Sequence, residues 1–383
     1  MSKAGTVTWT EGDTEQQARW LSESGAPAPQ RIVVVDDRTR AGDAYGLAAQ
    51  GTALLWRGDF HNARQLLAAM ARRAERRPAG SRGGKAAPLS AESFHLYRQA
   101  QAQRARTLNT LLVPLEEGYG IPLRRAPEAR AALIEAFGPP EGAALIPLRA
   151  LLGVIGAHQW RVKGIEVPAA GGRIHPHYGV FAPVRGEYVD LVADEPLPAA
   201  LAGDGTAFEV GTGTGVLAAV LVRRGVQRVV ATDMDPRALA CARENLGRLG
   251  IAGQVELLQV DLFPPGRAQL VLCNPPWLPA RPSSPIERGI YDPDSQMLRG
   301  FLGGLTAHLA DGGEGWLVLS DLAEHLGLRT REELLAMIRE AGLVVAGRSD
   351  AKPVHRRAAD TGDPLYRARA AEVTSLWRLR AAD

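Results

Sequence analysis

The stretch AFEVGTGTGVLAAVLVRRG, Ala207 to Gly225, passes from an apolar strand through three alternating glycines into an apolar, helix-forming segment. Glycines at 211, 213 and 215 let the backbone turn tightly and let a ligand approach to contact distance with no Cβ in the way. Dinucleotide-binding proteins and plain turns share such a loop, so its neighbours must decide. Glu209 stands just before the turn, where a pyrophosphate would be repelled and a cationic ligand welcomed.

Working outward, RVVATDMDPRALACARENL gives a second strand ending on Asp233, about 20 residues beyond the turn, the place from which a carboxylate accepts from ribose hydroxyls. Met234 follows it, positioned to lie against a flat purine ring. A third strand, QVELLQVDLF, is read as ending on Asp261, placed to accept from an exocyclic amine, with the Leu262 amide as a donor to the ring. The fourth, in LVLCNPPWLP, stops at Asn274-Pro275-Pro276-Trp277, because two consecutive prolines cannot donate to a sheet ladder. Four strands thus deliver Glu209, Asp233, Asp261 and Asn274 to one sheet edge, and a ligand lying along it is expected to meet them in that order. In open α/β sheets the carboxyl edge is where ligands bind.

The chain has 383 residues, enough for two domains. With 45 % apolar and 23 % charged residues it reads as globular. No apolar run reaches the roughly 18 residues of a membrane span, and the start, MSKAGTVTWT, has no hydrophobic signal segment; a cytoplasmic location is expected. The two cysteines, Cys241 and Cys273, sit in apolar settings and read as reduced, packed thiols. No Cys or His set has zinc spacing. His175 and His177 alternate as strand neighbours do, without a third ligand, so no metal is expected.

Net charge is only +3, yet residues 54–109 hold eleven Lys or Arg (Arg57, Arg64, Arg72, Arg73, Arg76, Arg77, Arg82, Lys85, Arg98, Arg104 and Arg106) against Asp59, Glu75 and Glu92. Such a patch reads either as an electrostatic footprint for RNA or as a solvated helix face.

Residues 1–165 are expected to form a mostly helical recognition or scaffold domain with one short buried strand in RIVVVDD, Arg31 to Asp37. Asn62 reads as the cap of a helix through ARQLLAAMARRAERR, and RPAGSRGGKAAPLS, Arg77 to Ser90, as a loop. Further helical patterns span Glu92–Leu112, Pro127–Phe137 and Leu145–His158. From Val167 strands alternate with helices, the pattern of a parallel sheet covered on both faces. Residues 166–383 form the second expected domain, with a lead-in hairpin over 166–195.

Taken together, residues 205–380 resemble a class I S-adenosylmethionine-dependent methyltransferase. The Asn-Pro-Pro-aromatic tetrad resembles the amino-methylating members: adenine N6 methylases, guanine N2 ribosomal RNA methylases, and the glutamine methylases of release factors. The resemblance implies a Rossmann-like, seven-stranded sheet with its last two strands antiparallel. It implies S-adenosylmethionine as cofactor, with Glu209, Gly211, Gly213 and Gly215 facing its methionyl and sulfonium part, Asp233 and Met234 its ribose and purine, and Asp261 and Leu262 its adenine. It implies that the Asn274 side-chain oxygen and the Pro275 carbonyl accept the two hydrogens of a planar nitrogen, that Pro276 stiffens the turn, and that Trp277 stacks on the acceptor. No general base is evident.

Upstream, RIHPHYGVFAPVRGEYVDLV resembles the lead-in of the glutamine methylases, with Val184 inserted between Pro183 and Arg185. Phe181, Arg185 and Glu187 are the substrate candidates there, and Arg281, Glu287, Arg288, Tyr291 and Asp292 on the loop LPARPSSPIERGIYDPDS, a candidate lid of roughly 18 residues. The expected activity is N-methylation of a planar conjugated nitrogen on ribosomal RNA or a protein glutamine. The alternatives are N-methylation of a small metabolite, a non-catalytic cofactor-binding module, and a dehydrogenase, whose hydride chemistry gives no reason for Asn-Pro-Pro-Trp.

Overall fold

The computed structural model describes residues 5–75, 90–282, 285–353, 360 and 363–382. Its backbone contacts separate two compact units, residues 1–87 with 95–159 and residues 88–94 with 160–383.

In the first unit, strands β1 (Thr6–Glu11), β2 (Thr14–Trp20), β3 (Ile32–Val35), β4 (Ala53–Trp56), β5 (Leu111–Leu115) and β6 (Ala144–Pro147) form one sheet in the order β1-β2-β6-β5-β4-β3. The helices α1 (Ala41–Ala49), α2 (Phe60–Glu75), α3 (Ala91–Leu108, whose first four residues belong to the second unit), α4 (Arg130–Phe137) and α5 (Leu148–Lys163, whose last four do) still hold more residues than these strands. The sequence reading names only Arg31–Asp37 as a strand here. It passes over β4, β5 and β6 because each is a run of four or five apolar residues close to a helix, and periodicity alone cannot separate the two. β3 is an edge strand and not buried: Val33 and Val34 are 37 % and 38 % exposed. Helix α2 starts two residues before Asn62, and its first turn is bonded by Asp59, whose Oδ1 accepts from the His61 amide at 2.9 Å. Asn62 instead donates to Asp37.

The second unit opens on the hairpin β7 (Ile165–Val167) and β8 (Gly172–Ile174), followed by α6 (Glu187–Asp194), so the expected lead-in hairpin gives way to a helix in its second half. Then come β9 (Thr206–Val210), α7 (Val216–Arg223), β10 (Arg228–Thr232), α8 (Pro236–Arg248), β11 (Val255–Leu258), β12 (Ala268–Cys273), α9 (Gln296–His308), β13 (Leu309–Ser320), α10 (Leu322–His325), α11 (Arg331–Glu340), β14 (Leu343–Ala351), α12 (Tyr366–Ala371) and β15 (Thr374–Ala381). Seven of these strands form a sheet in the order β11-β10-β9-β12-β13-β15-β14. Neighbours from β11 to β13 are parallel, and β15 runs antiparallel to both β13 and β14. β15 is thus the strand reversed against the others, and the last two strands, β14 and β15, run antiparallel to each other.

Alternate residues of the central strands serve two separate cores, as a pleated strand requires. Ala207, Val229, Leu270, Leu272, Trp316 and Val318 pack with residues of α6, α7 and α8. Phe208, Val230, Val271, Cys273, Leu317 and Leu319 pack with α9 and α11. Burial on both faces explains why these strands read as continuous apolar runs instead of alternating ones. Strand order reverses between β9 and β12, which makes their carboxyl ends the switch point where a crevice opens.

Candidate functional site

The glycine turn after β9 is built to be rigid. Gly211, Gly213 and Gly215 have φ of 76°, 54° and 79°, a region that costs other residues strain. The Gly211 and Thr212 amides both donate to the Thr232 carbonyl, at 2.9 and 2.8 Å, tying the turn to the end of β10. From α8, the fully buried Asn245 donates to the Thr214 carbonyl at 3.0 Å. A Cβ on Gly215 would lie 3.2 Å from the Ala242 backbone, so helix and turn meet too closely for a side chain.

Glu209 lies beneath this turn, 2 % exposed, and one oxygen, Oε2, accepts from Thr212 Oγ1 at 2.6 Å and from the Ala218 amide at 3.0 Å. Burial pushes its carboxyl up to about 8; those two donors oppose the shift, and the nearby Asp233 adds to it. Asp233, just past β10, accepts from the Gly213 amide at 3.0 Å and the Asp235 amide at 2.9 Å. Its pKa is also raised, by burial first, against the pull of those amides. These amides leave the carboxylate capacity to accept from a further donor.

Met234 stands 70 % exposed beside it. Strand β11 ends at Leu258, three residues before Asp261, so Asp261 sits exposed in the following turn and not on the strand. That turn is fixed by Thr232, whose Oγ1 donates to the Leu262 carbonyl at 2.5 Å, with Leu262 at φ 63°. Because β12 pairs with β9, the order along the edge is Asp261, Asp233, Glu209, Asn274. The strand of Glu209 therefore lies beside the strand that ends at Asn274, with Glu209 paired to Leu272 two positions before it, a correction to the order read from the sequence.

At the end of β12, Asn274 Oδ1 accepts from Trp277 Nε1 at 2.9 Å. An indole N–H can only donate, which fixes the oxygen end of the amide and leaves it one lone pair. Pro275 is buried and Pro276 half-buried. Trp277 packs against both cores, and the Arg185 guanidinium lies over its ring, 5.7 Å from the centroid. Arg185 in turn donates to Glu372 Oε1 at 3.0 Å, and Ser320, at the end of β13, donates to the same oxygen at 2.7 Å. Glu372 and Ser320 escape sequence reasoning: one lies almost a hundred positions from the tetrad and neither belongs to a motif.

The lid candidate closes on itself at its base. Leu278 donates to the Ile290 carbonyl at 3.2 Å and accepts from the Asp292 amide at 2.8 Å, and Leu278 bridges Tyr291. Asp292, expected near substrate, is 5 % exposed and caps α9 by accepting from the Met297 and Leu298 amides at 2.9 and 3.1 Å. Phe181 reaches the same loop: a Cβ on Gly289 would meet its Cβ at 2.8 Å. Glu187 is buried at the start of α6, and Arg281 and Arg288 are exposed on the loop. Met297 also approaches the glycine turn, since a Cβ on Gly211 would lie 2.6 Å from its Cε.

Other polar motifs are engaged structurally. His175 bonds the Arg161 carbonyl and His177 bonds Glu244, each at 2.6 Å. Both cysteines are free thiols and buried. In the basic stretch, Arg57 pairs with Glu11 and Arg104 with Glu75, each at 2.5 Å, while Arg76, Arg77, Arg82, Lys85 and nearly all of residues 77–90, expected to be a loop, lie outside the described residues. No described helix is long and apolar enough to cross a membrane.

Residues 173–339 match the family described as Methyltransferase small domain. The ribosomal protein L11 methyltransferase of Pelotomaculum thermopropionicum is 49 % identical over 72 residues, 18 % of this chain and 23 % of that protein. The release factor glutamine methyltransferase of Cereibacter sphaeroides is 33 % identical over 152 residues, 36 % of this chain and 52 % of that protein. The matched region thus spans about a quarter to a half of these curated relatives. Among solved structures, the ribosomal protein L11 methylase from Lactobacillus delbrueckii subsp. bulgaricus aligns with a TM-score of 0.35 and 18 % identity, covering 51 % of this chain and 77 % of that one.

Proposed function

We propose that the domain matched over residues 173–339 makes this chain an S-adenosylmethionine-dependent N-methyltransferase, with a planar side-chain amide of a protein, of the glutamine type, as acceptor. The observation that carries the reading is the adjacency of a buried carboxylate, Glu209, and a fixed amide oxygen, Asn274, on neighbouring strands at the switch point.

The residues fit the cofactor. The Cβ-free turn admits close approach, the Glu209 carboxyl suits a cationic group, and Asp233 retains acceptor capacity toward ribose hydroxyls. Bound there, the cofactor supplies an electrophilic methyl group, and the protein supplies aim. An amide nitrogen is a poor nucleophile because its lone pair is delocalised. Asn274 Oδ1 and the Pro275 carbonyl accept its two hydrogens, hold the nitrogen in line and favour its pyramidal form. The bond from Trp277 keeps Oδ1 from rotating away, so no rearrangement is needed during reaction. Trp277 flanks the acceptor, with Arg185 fixing the ring.

A protein acceptor is supported by the names of both relatives, which are protein methyltransferases. The test is incubation of the purified chain with labelled cofactor and, separately, release factors, ribosomal proteins, ribosomal RNA and a metabolite pool. Label on a glutamine side chain of a protein is expected. Label confined to RNA or to small molecules overturns the choice of acceptor.

A further inference from the structure

A cavity of about 480 Å³ opens at the foot of the lid, lined by Pro279 where the loop begins, Asp294 and Ser295 where it ends, and Arg329, Met337 and Glu340 across from them. Arg329 is 5 % exposed, yet its Nε is buried without a partner, and its one side-chain bond is a long 3.4 Å contact from Nη1 to Ser295 Oγ. Buried guanidinium groups are normally matched by a carboxylate, because an uncompensated charge out of water is costly.

The carboxylates whose fields reach Arg329 are committed elsewhere. Glu324 accepts from Arg331 Nε at 2.7 Å, Glu333 from the Thr330 amide at 2.7 Å, and Asp292 from the first turn of α9. Burial pulls the Arg329 pKa below its usual value, against the pull of those acids. Among the described residues no carboxylate oxygen is bonded to Arg329, although Glu333 shares the lining of the cavity and Glu324, Asp292 and Glu333 act on the guanidinium through space.

We propose that this cavity is a recognition site for one carboxylate of a peptide, an acidic side chain that enters beside the lid and pairs with Arg329. The mouth selects for that class. Three exposed acids, Asp294, Glu333 and Glu340, outnumber the one exposed cation, Arg299, in the lining, which disfavours a phosphate dianion more than a single carboxylate on a short stem. Leu328 and Met337 provide an apolar wall for the methylenes. The site rests on the preceding reading only in taking the acceptor to be a protein.

Calorimetry with three short peptides tests it without any methyl transfer: one capped with a single Glu, its Gln counterpart, and the Gln peptide with a free carboxyl terminus. The capped Glu peptide is expected to bind at least tenfold tighter than the Gln peptide, and Arg329→Met to abolish the difference while melting no lower than wild type. Preference for the free terminus alone shows the wrong carboxylate source and overturns the side-chain assignment. Equal binding of all three, a preference that survives in Arg329→Met, or a lower melting temperature of that variant, which makes Arg329 a structural brace, overturns the site.

Discussion

Trp277 donates its indole N–H to Asn274 Oδ1 at 2.9 Å, so two residues of one tetrad lock each other at the end of a central strand. The oxygen placed to receive the acceptor is held before any ligand arrives. Asn274→Ala is expected to leave cofactor affinity nearly unchanged and to slow transfer by about 100-fold or more, about 3 kcal/mol. Trp277→Phe keeps a ring but frees the amide, and a smaller loss in the same direction is expected. Single-turnover rates beside cofactor titrations check both.

The buried Glu209 makes cofactor binding depend on pH. Its carboxyl, pushed up to about 8, is largely protonated at neutral pH, and a cationic ligand favours the charged form. Affinity for the sulfonium cofactor is expected to rise as pH increases from 6 through 8, with proton release on binding, and Glu209→Gln to flatten the slope. Stability moves the other way. An acid with a folded pKa above its unfolded one is better protonated in the fold, so the unfolded state binds fewer protons between about 4.5 and 8 and stability falls as pH rises through that window. Melting curves from pH 5 to 9, wild type against Glu209→Gln, read the second effect.

Arg185 is tied to Glu372, whose side chain is 0 % exposed while that of Arg185 is 19 % exposed. Glu372→Ala leaves the guanidinium uncompensated and is expected to destabilise by about 3 kcal/mol. Because Arg185 lies over Trp277, the indole fluorescence is expected to change with it, whereas a purely remote defect leaves that signal unaltered. Denaturant titration and emission spectra report both.

Gly215 joins a left-handed φ of 79° to a backbone contact with Ala242. Gly215→Val is expected to cost about 1–3 kcal/mol from strain alone and to weaken cofactor binding through the turn. Asp233→Ala is expected to weaken cofactor binding with little loss of stability, since it bonds only turn amides. Differential melting with and without cofactor separates the two variants.

Much of the second unit was legible because its chemistry is local. The glycine turn, the Asp at the end of β10 and the Pro-Pro strand stop each announce themselves within a few residues. Their spatial order did not, because β12 crosses over to pair with β9, and sequence order carries no record of a crossover. Asp292 reads like any loop carboxylate, and only the amides of α9 converging on it reveal a cap. Glu372 and Arg185 meet across 187 positions, beyond the reach of spacing arguments. The sheet of the first unit stayed hidden in short apolar runs close to helices.

The central claim is that Glu209 and Asn274 flank the reacting centre, and a crystal structure with a cofactor analogue retaining the methyl sulfonium tests it most directly. The account predicts the sulfur between these two residues with its methyl directed at Asn274 Oδ1. A methyl pointing away from Asn274, or an analogue seated with its sulfur at the Asp261 end of the edge, contradicts it.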